Sequence, residues 1–169
     1  MRPQDLFTVG YEGTDLKTFL TALRVSGVTQ VIDIRELPLS RKPGFSKSAI
    51  AEALGDVGIR YLHLRDLGDP KTGREAAKRG DHNAFLRIYH RHLQTDAAQA
   101  ALAVATEIAT KTPSCLLCFE RDPVGCHRSI VATAIADMTD IRVVHLSPSK
   151  PSLQEAAHRH GSVNAATVW

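Results

Sequence analysis

The stretch LLCFERDPVGCHRS, residues 116–129, gathers side chains that can do chemistry: two thiols, an imidazole, two guanidinium groups and two carboxylates. Cys126, His127 and Arg128 stand where a helix-patterned apolar segment begins. The free amides and positive dipole end of a helix start attract anions and would favour a thiolate there. The stretch therefore predicts either an anion site, to which Arg128 adds a bidentate guanidinium, or a reactive Cys126 assisted by His127 or Glu120.

A structural role would explain the same residues: a buried cysteine, a capping histidine, and Arg128 paired with Glu120 or Asp122. A metal site is not predicted. Cys115 and Cys118 are separated by an odd number of positions along an expected strand, so their side chains should face opposite sides of the sheet. Three cysteines in a chain of 169 residues favour free thiols over disulfides.

The elements that must position these residues follow from apolar patterning. Short β-rich segments predict strands, and apolar positions at helical spacing predict helices between them. The expected strands are 6–10, 29–34, 59–64, 114–119 and 141–146. The first expected helix begins at Thr14 or Asp15 and ends at Gly27, and the second begins at Ser46. Three further helices are expected at about 82–94, 96–111 and 127–138. Segment 65–81 is polar and contains three glycines, which predicts a long functional or mobile loop.

Strand–helix alternation predicts an α/β fold: one domain with a mainly parallel five-stranded sheet and helices on both faces, Rossmann-like. We expect this domain over residues 1–147, and a tail over 148–169 that packs on it or is partly disordered. Ligands of such sheets bind beyond the carboxyl ends of the strands. The loops at that edge carry the remaining candidate residues: Tyr11, Glu12 and Gly13 after the first strand, and Asp33, Arg35, Ser40 and Arg41 at the end of the second and after it.

Charge and signal patterns limit the partners. No apolar run approaches the roughly 20 residues of a membrane span, and the first residues lack a signal-peptide pattern, so we expect a cytoplasmic protein without a membrane partner. Residues 60–92 carry eight arginines and lysines against four acidic residues, which favours a small anion or a nucleic acid, or else a solvated helix surface. GYEGT lacks the GxGxxG fingerprint, and no cofactor is predicted.

Four segments, TVGYEG, DIRELPLSRKPGFS, GIRYLHLRDLGDPK and LLCFERDPVGCHRSIVA, resemble the uncharacterised DUF488 family. They follow one another in the family's order across about residues 7–146. Ile34 stands where the family has valine, and Phe119 where it has a small residue; neither change alters chemistry. The resemblance implies an α/β fold and a shared polar pocket built from these motifs, but no activity and no catalytic roles.

Three functions fit this pattern. The first is a hydrolase or transferase acting on an anionic substrate such as a nucleotide or a nucleic acid component, with carboxylates as acid, base or nucleophile. The second is a non-catalytic nucleotide or nucleic-acid binding module, and the third a cysteine-dependent enzyme using Cys126. The residues expected to act in catalysis are Glu12, Asp33, Glu120, Cys126 and His127, and those expected to bind the anion are Tyr11, Gly13, Arg35, Ser40, Arg41 and Arg128.

Overall fold

The computed structural model describes residues 4–149. Five parallel strands form one sheet in the order β3-β2-β4-β1-β5. The strands are β1 (Asp5–Gly10), β2 (Gln30–Asp33), β3 (Arg60–His63), β4 (Ser114–Cys118) and β5 (Arg142–Leu146). The helices of this region are α1 (Leu16–Val25), α2 (Lys47–Asp56), α3 (Lys71–Lys78), α4 (His82–Leu93), α5 (Asp96–Lys111) and α6 (His127–Asp137). The predicted parallel α/β fold is confirmed, whereas most of the expected tail lies outside the described residues.

Two apolar cores lie on opposite faces of the sheet because side chains alternate along each strand. In β4, Cys115 and Leu117 pack into one core with α1 and α2. Leu116 packs into the other core, with side chains from α3, α4, α5 and α6. Cys118 therefore points to the α6 side, away from Cys115, as the spacing of these two cysteines predicts.

Segment 65–81 corrects a prediction. It is not a long loop: a short 3₁₀ turn at Arg65–Leu67 and helix α3 together occupy most of it. Gly73 and Ala76 are buried in α3, and a Cβ at Gly73 would lie only 2.0 Å from Oδ1 of Asp69. The glycine that suggested flexibility allows close packing instead, and so the composition of this segment was misleading.

Candidate functional site

Four ionisable side chains meet where β4 ends and α6 begins. Cys118 is the last residue of β4, Cys126 is the N-cap of α6, and His127 is the first residue of that helix. With Glu120 from the connecting loop, their sulfur, carboxylate and imidazole atoms all lie within 4.8 Å of one another. We call these four residues the thiol cluster. The two cysteines and His127 are buried, and Glu120 is half-buried.

Hydrogen bonds fix the orientation of each group in the thiol cluster. The Glu120 carboxylate accepts from Sγ of Cys118 at 2.9 Å and from Sγ of Cys126 at 3.2 Å. Nε2 of His127 lies 2.9 Å from the carbonyl oxygen of Ile34. Because a carbonyl oxygen only accepts, Nε2 carries a proton and donates it. Nδ1 is the ring nitrogen nearer to the sulfurs: it lies 3.7 Å from Cys118 and 4.0 Å from Cys126, while Nε2 lies 4.0 Å from Cys118.

Burial dominates the electrostatics of the two thiols. It raises the pKa of Cys118, and it raises the pKa of Cys126 well above its usual range. Cys126 is thus not the low-pKa thiol that its position at a helix start predicts, because loss of solvent outweighs the helix dipole.

The two other groups of the thiol cluster are charged. Burial opposes ionisation of Glu120, but the hydrogen bond from Cys118 and the charge of His127 hold its pKa below the usual range. Burial likewise opposes the charge on His127, but Cys126 and the Ile34 carbonyl raise its pKa to about 9. These pKa shifts favour the charged forms of Glu120 and His127 beside the protonated forms of the two thiols.

Asp69 is a buried carboxylate close to this cluster that sequence reasoning missed. Its Oδ1 atom has no hydrogen-bond partner among residues 4–149. Burial, with the charge of Glu120 as a smaller cause, raises the pKa of Asp69 to about 6. The ring of Tyr89, 5.2 Å from the His127 ring, packs on the same side of the sheet. The only sequence signal for Asp69 was its place in the family-like segment GIRYLHLRDLGDPK.

Arg128 anchors the loop that carries Glu120. Its guanidinium is fully buried; Nε donates to Oγ1 of Thr8 at 3.1 Å, Nη1 to the carbonyl oxygen of Glu120, and Nη2 to that of Arg121 at 3.1 Å. A Cβ at Gly10 would lie 1.7 Å from the Glu120 carbonyl oxygen, so the loop passes directly over the end of β1. These contacts give no support to the expected anion site at Arg128, because the guanidinium cannot reach solvent without moving this loop.

Arg35 is also bonded within the protein. Nε and Nη2 of Arg35 donate to the two carboxylate oxygens of the fully buried Asp33 at 2.9 and 2.7 Å, and Nη1 donates to the carbonyl oxygen of Phe45 at 2.7 Å. Tyr61 donates to Asp33 at 2.6 Å, while Tyr11 stacks on Phe45. Burial lowers the pKa of Arg35, but the hydrogen bond to Asp33 outweighs it and raises that pKa. Burial and the Asp33 carboxylate both raise the pKa of Tyr61. This group holds the loop after β2 in place and leaves neither Asp33 nor Arg35 open to a ligand.

The remaining predicted residues lie nearer the surface. Glu12 is exposed and accepts from the backbone N–H of Arg121 at 2.9 Å, while Oγ of Ser40 accepts from the N–H of Lys42 and Arg41 is exposed. A depression of about 620 Å³ lies beside the cluster-bearing loop. Its lining residues are Glu12, Gly13, Arg121, Asp122, Pro123 and Ser147. A larger groove of about 1210 Å³ lies between α1 and residues 42–44, and neither the groove nor the depression is lined by a member of the thiol cluster.

The fold and the site together define the class of protein. It is an α/β protein with an all-parallel sheet, and two thiols, a carboxylate and an imidazole lie at the carboxyl edge of that sheet. The chain belongs to the DUF488 family: the model of this domain of unknown function matches residues 15–135. The match includes the whole thiol cluster and confirms the resemblance seen in the motifs. Comparison with the curated proteins and with the solved structures found no match. Among the helices of residues 4–149, none has the length and apolar character needed to cross a membrane.

Proposed function

We propose that this protein is an enzyme, a hydrolase or transferase, whose reacting groups are Glu120, Cys126 and His127. The observation that supports this proposal is the thiol cluster itself, in which ionisable atoms lie within 4.8 Å of one another at the carboxyl edge of the sheet. Ligands of α/β sheets bind at that edge. Groups that can accept, donate or attack are thus held where a substrate would arrive.

The burial of the cluster favours an enzyme over a simple binding module. Removing polar groups from water costs free energy, and a module that only recognises a ligand has no need to bury Cys118, Cys126 and His127 together. Asp69, with an unpartnered buried oxygen, adds a further unfavourable term. Such arrangements concentrate at sites selected for reactivity rather than stability.

The proposed ligand class rests on the depression lined by Arg121 and Asp122, the two residues that follow Glu120 in the chain. Arg121 is exposed and lies over Gly13, with Nη1 3.7 Å from the position of a Cβ there. The described residues offer its guanidinium no hydrogen bond or ion pair, so it can bind a phosphate. Glu12 and Asp122 line the same depression and would accept hydrogen bonds from hydroxyl groups. A nucleotide, which joins an anion to sugar hydroxyls, fits this combination.

The test is turnover of nucleotides and short oligonucleotides, followed by mass spectrometry of the products. Wild type and Cys115→Ser, a matched change of a buried cysteine outside the cluster, should convert a substrate. Glu120→Gln should lose at least about 100-fold, the usual contribution of an acid–base group. Loss with Cys126→Ser alone would select the cysteine-dependent enzyme, and tight binding without product would select the binding module.

Binding of the anion is tested separately by calorimetric titration. Arg121→Ala should weaken nucleotide affinity by about tenfold, equivalent to about 1.4 kcal/mol. Arg24→Ala changes another exposed arginine, on α1, and should leave the affinity unchanged. Equal affinities for both variants would remove Arg121 from the proposed site.

A further inference from the structure

We infer that Cys118, Glu120, Cys126 and His127 bind one divalent metal ion of the zinc type. This inference concerns the same site as the proposed function, but ion binding does not depend on any reaction there. The alternation of side chains along β4 excludes a site that contains both Cys115 and Cys118. Cys118 alone can join Cys126, because the chain returns eight residues after Cys118 and places Cys126 on the same side of the sheet.

The donor types select the ion. Two thiolates and an imidazole are soft or borderline ligands, which suit zinc and related first-row ions. Magnesium and calcium prefer oxygen ligands only. One carboxylate, from Glu120, is compatible with zinc, whose protein sites use sulfur, nitrogen and oxygen donors.

The geometry fits a tetrahedral ion. Bond lengths of about 2.0–2.3 Å place the ligand atoms of tetrahedral zinc about 3.3–3.8 Å from one another. In the thiol cluster, the sulfurs lie 2.9 and 3.2 Å from the Glu120 oxygen and 3.7 and 4.0 Å from Nδ1 of His127. Shifts of about half an ångström would bring these distances to the tetrahedral values.

His127 is already oriented as a metal ligand. Metal-binding histidines usually donate their second ring N–H to a carbonyl or a carboxylate, which fixes the ring and aims the other nitrogen at the ion. Nε2 of His127 makes this bond to the carbonyl oxygen of Ile34, and Nδ1 is the ring nitrogen nearer to the sulfurs. The contact joins α6 to the end of β2, so the ring direction is set by the fold rather than by the cluster alone.

The surroundings support a cation as well. Asp69 is 7% exposed, its Oδ1 has no hydrogen-bond partner in residues 4–149, and its charge interacts with those of Glu120 and His127. A buried carboxylate without a donor is stabilised by a nearby positive ion. Arg128 holds the Glu120 carbonyl, which fixes the loop that supplies the fourth ligand.

Binding is an exchange of protons for metal, without oxidation or reduction. Each thiol loses its proton to solvent as a sulfur–metal bond forms, and Glu120 exchanges its two S–H hydrogen bonds for one oxygen–metal bond. His127 contributes the lone pair of Nδ1, and any proton there also leaves to solvent. Affinity should therefore fall as the pH is lowered.

The exposure of the ligands distinguishes Glu120 from the other three. Cys118, Cys126 and His127 are 2–5% exposed, whereas Glu120 is half-buried. Three fixed protein ligands with one replaceable position are the arrangement of catalytic zinc sites. We assign Glu120 as the ligand that water or substrate displaces, so that in the ion-bound protein Glu120 is free to act as acid or base while Cys126 and His127 hold the ion. This assignment rests on the proposed function.

The experiment is a titration of the full-length chain, reduced and freed of metal by a chelator, with Co²⁺ and then Zn²⁺. One Co²⁺ per chain should produce the sulfur-to-metal charge-transfer absorption and the intense visible bands of a tetrahedral thiolate site, and one equivalent of Zn²⁺ should remove them. Loss of a group that only supports a ligand weakens metal affinity by up to about 100-fold. Cys126→Ser and His127→Asn remove ligands themselves, so each should weaken the affinity by at least about 100-fold. Cys115→Ser should bind as wild type does.

Folding and redox controls keep the test decisive. Circular dichroism of each metal-free variant shows whether it is folded. Glu120 is only half-buried, so Glu120→Gln should fold even if the substitutions at buried positions do not. Binding of equal strength in wild type and Cys126→Ser, absorption without charge transfer, or no binding by the reduced wild type would overturn the inference. Metal bound without turnover would reject the proposed enzyme while supporting the ion site.

Discussion

Nε2–H of His127 donates to the carbonyl oxygen of Ile34 across 2.9 Å, and this bond ties the first residue of α6 to the residue after β2. The same ring also contacts the end of β4, because the sulfur of Cys118 lies 3.7 Å from Nδ1 and 4.0 Å from Nε2. The imidazole thus has one nitrogen used by the scaffold and the other nearer to the sulfurs. The chemistry proposed for the thiol cluster depends on Nε2 bonding to the backbone while Nδ1 stays available to the other members of the cluster.

Arg128→Ala should destabilise the protein rather than weaken anion binding. The change leaves two carbonyl oxygens without their donor and removes one of the two partners of the Thr8 hydroxyl, which also bonds to His145. It opens a cavity where a fully buried side chain stood. We expect a loss of at least about 3 kcal/mol in the free energy of unfolding, measured by urea denaturation. Arg24→Ala, at an exposed site, should change it by less than about 0.5 kcal/mol. Equal stability of the two variants would contradict the structural role of Arg128.

Arg35→Ala should destabilise the protein by about 3–5 kcal/mol, because it leaves Asp33 as a buried charge without its partner. The comparison is Lys111→Ala, which breaks the exposed i,i+4 pair with Glu107. Such a pair contributes about 0.3–0.5 kcal/mol. Denaturant midpoints with an unchanged slope give both values. A loss below about 1 kcal/mol for Arg35→Ala would mean that solvent reaches the buried pair.

Asp69 should make stability depend on pH. Its pKa is raised from 3.8 to about 6 in the folded protein, so the folded state binds the proton more tightly than the unfolded state. The stability linked to this proton is complete below about pH 4 and is lost as the pH rises through about 6. Asp69→Asn, measured in chelator, should therefore gain stability relative to wild type between pH 4 and pH 7. A difference between Asp69→Asn and wild type that stays constant with pH would be the contrary result.

Two glycine substitutions test the packing of α3. Gly73→Ala would place a Cβ 2.0 Å from Asp69 Oδ1, and we expect a destabilisation of about 1–3 kcal/mol from overpacking. Gly55→Ala, in the exposed part of α2 with no atom within 4 Å of the new Cβ, should instead stabilise by about 0.5–1 kcal/mol. Thermal unfolding of both variants gives the signs. Stabilisation by Gly73→Ala would show that Asp69 does not lie against α3.

The architecture could be predicted because its signals are local. Apolar strands separated by helix-patterned segments identify a parallel sheet, and Cys126 at the start of α6 follows from the change in apolar spacing. The alternation of side chains also separated Cys115 from Cys118 correctly. The helix at 71–78 was missed because polar, glycine-containing composition favours a loop, whereas the reason for Gly73 is its tertiary contact with Asp69.

The assignment of individual arginines could not be made from sequence. Arg35, Arg121 and Arg128 all belong to segments at the carboxyl edge, and nothing in their spacing says which of them is buried. Burial depends on acceptors far away in the chain, such as the Phe45 carbonyl for Arg35 and Oγ1 of Thr8 for Arg128. Glu120, Cys126 and His127 of the thiol cluster were among the predicted site residues, whereas Cys118 was missed, because only the folded loop between β4 and α6 brings it beside Cys126.

Anomalous diffraction at the zinc absorption edge, from crystals of the reduced protein grown with Zn²⁺, is the decisive measurement of the proposed ion site. One anomalous peak is expected within about 2.0–2.4 Å of Nδ1 of His127 and of the sulfurs of Cys118 and Cys126, with Glu120 or water as the fourth ligand. A peak at surface histidines alone, or no peak among the four side chains of the thiol cluster, would contradict the zinc site.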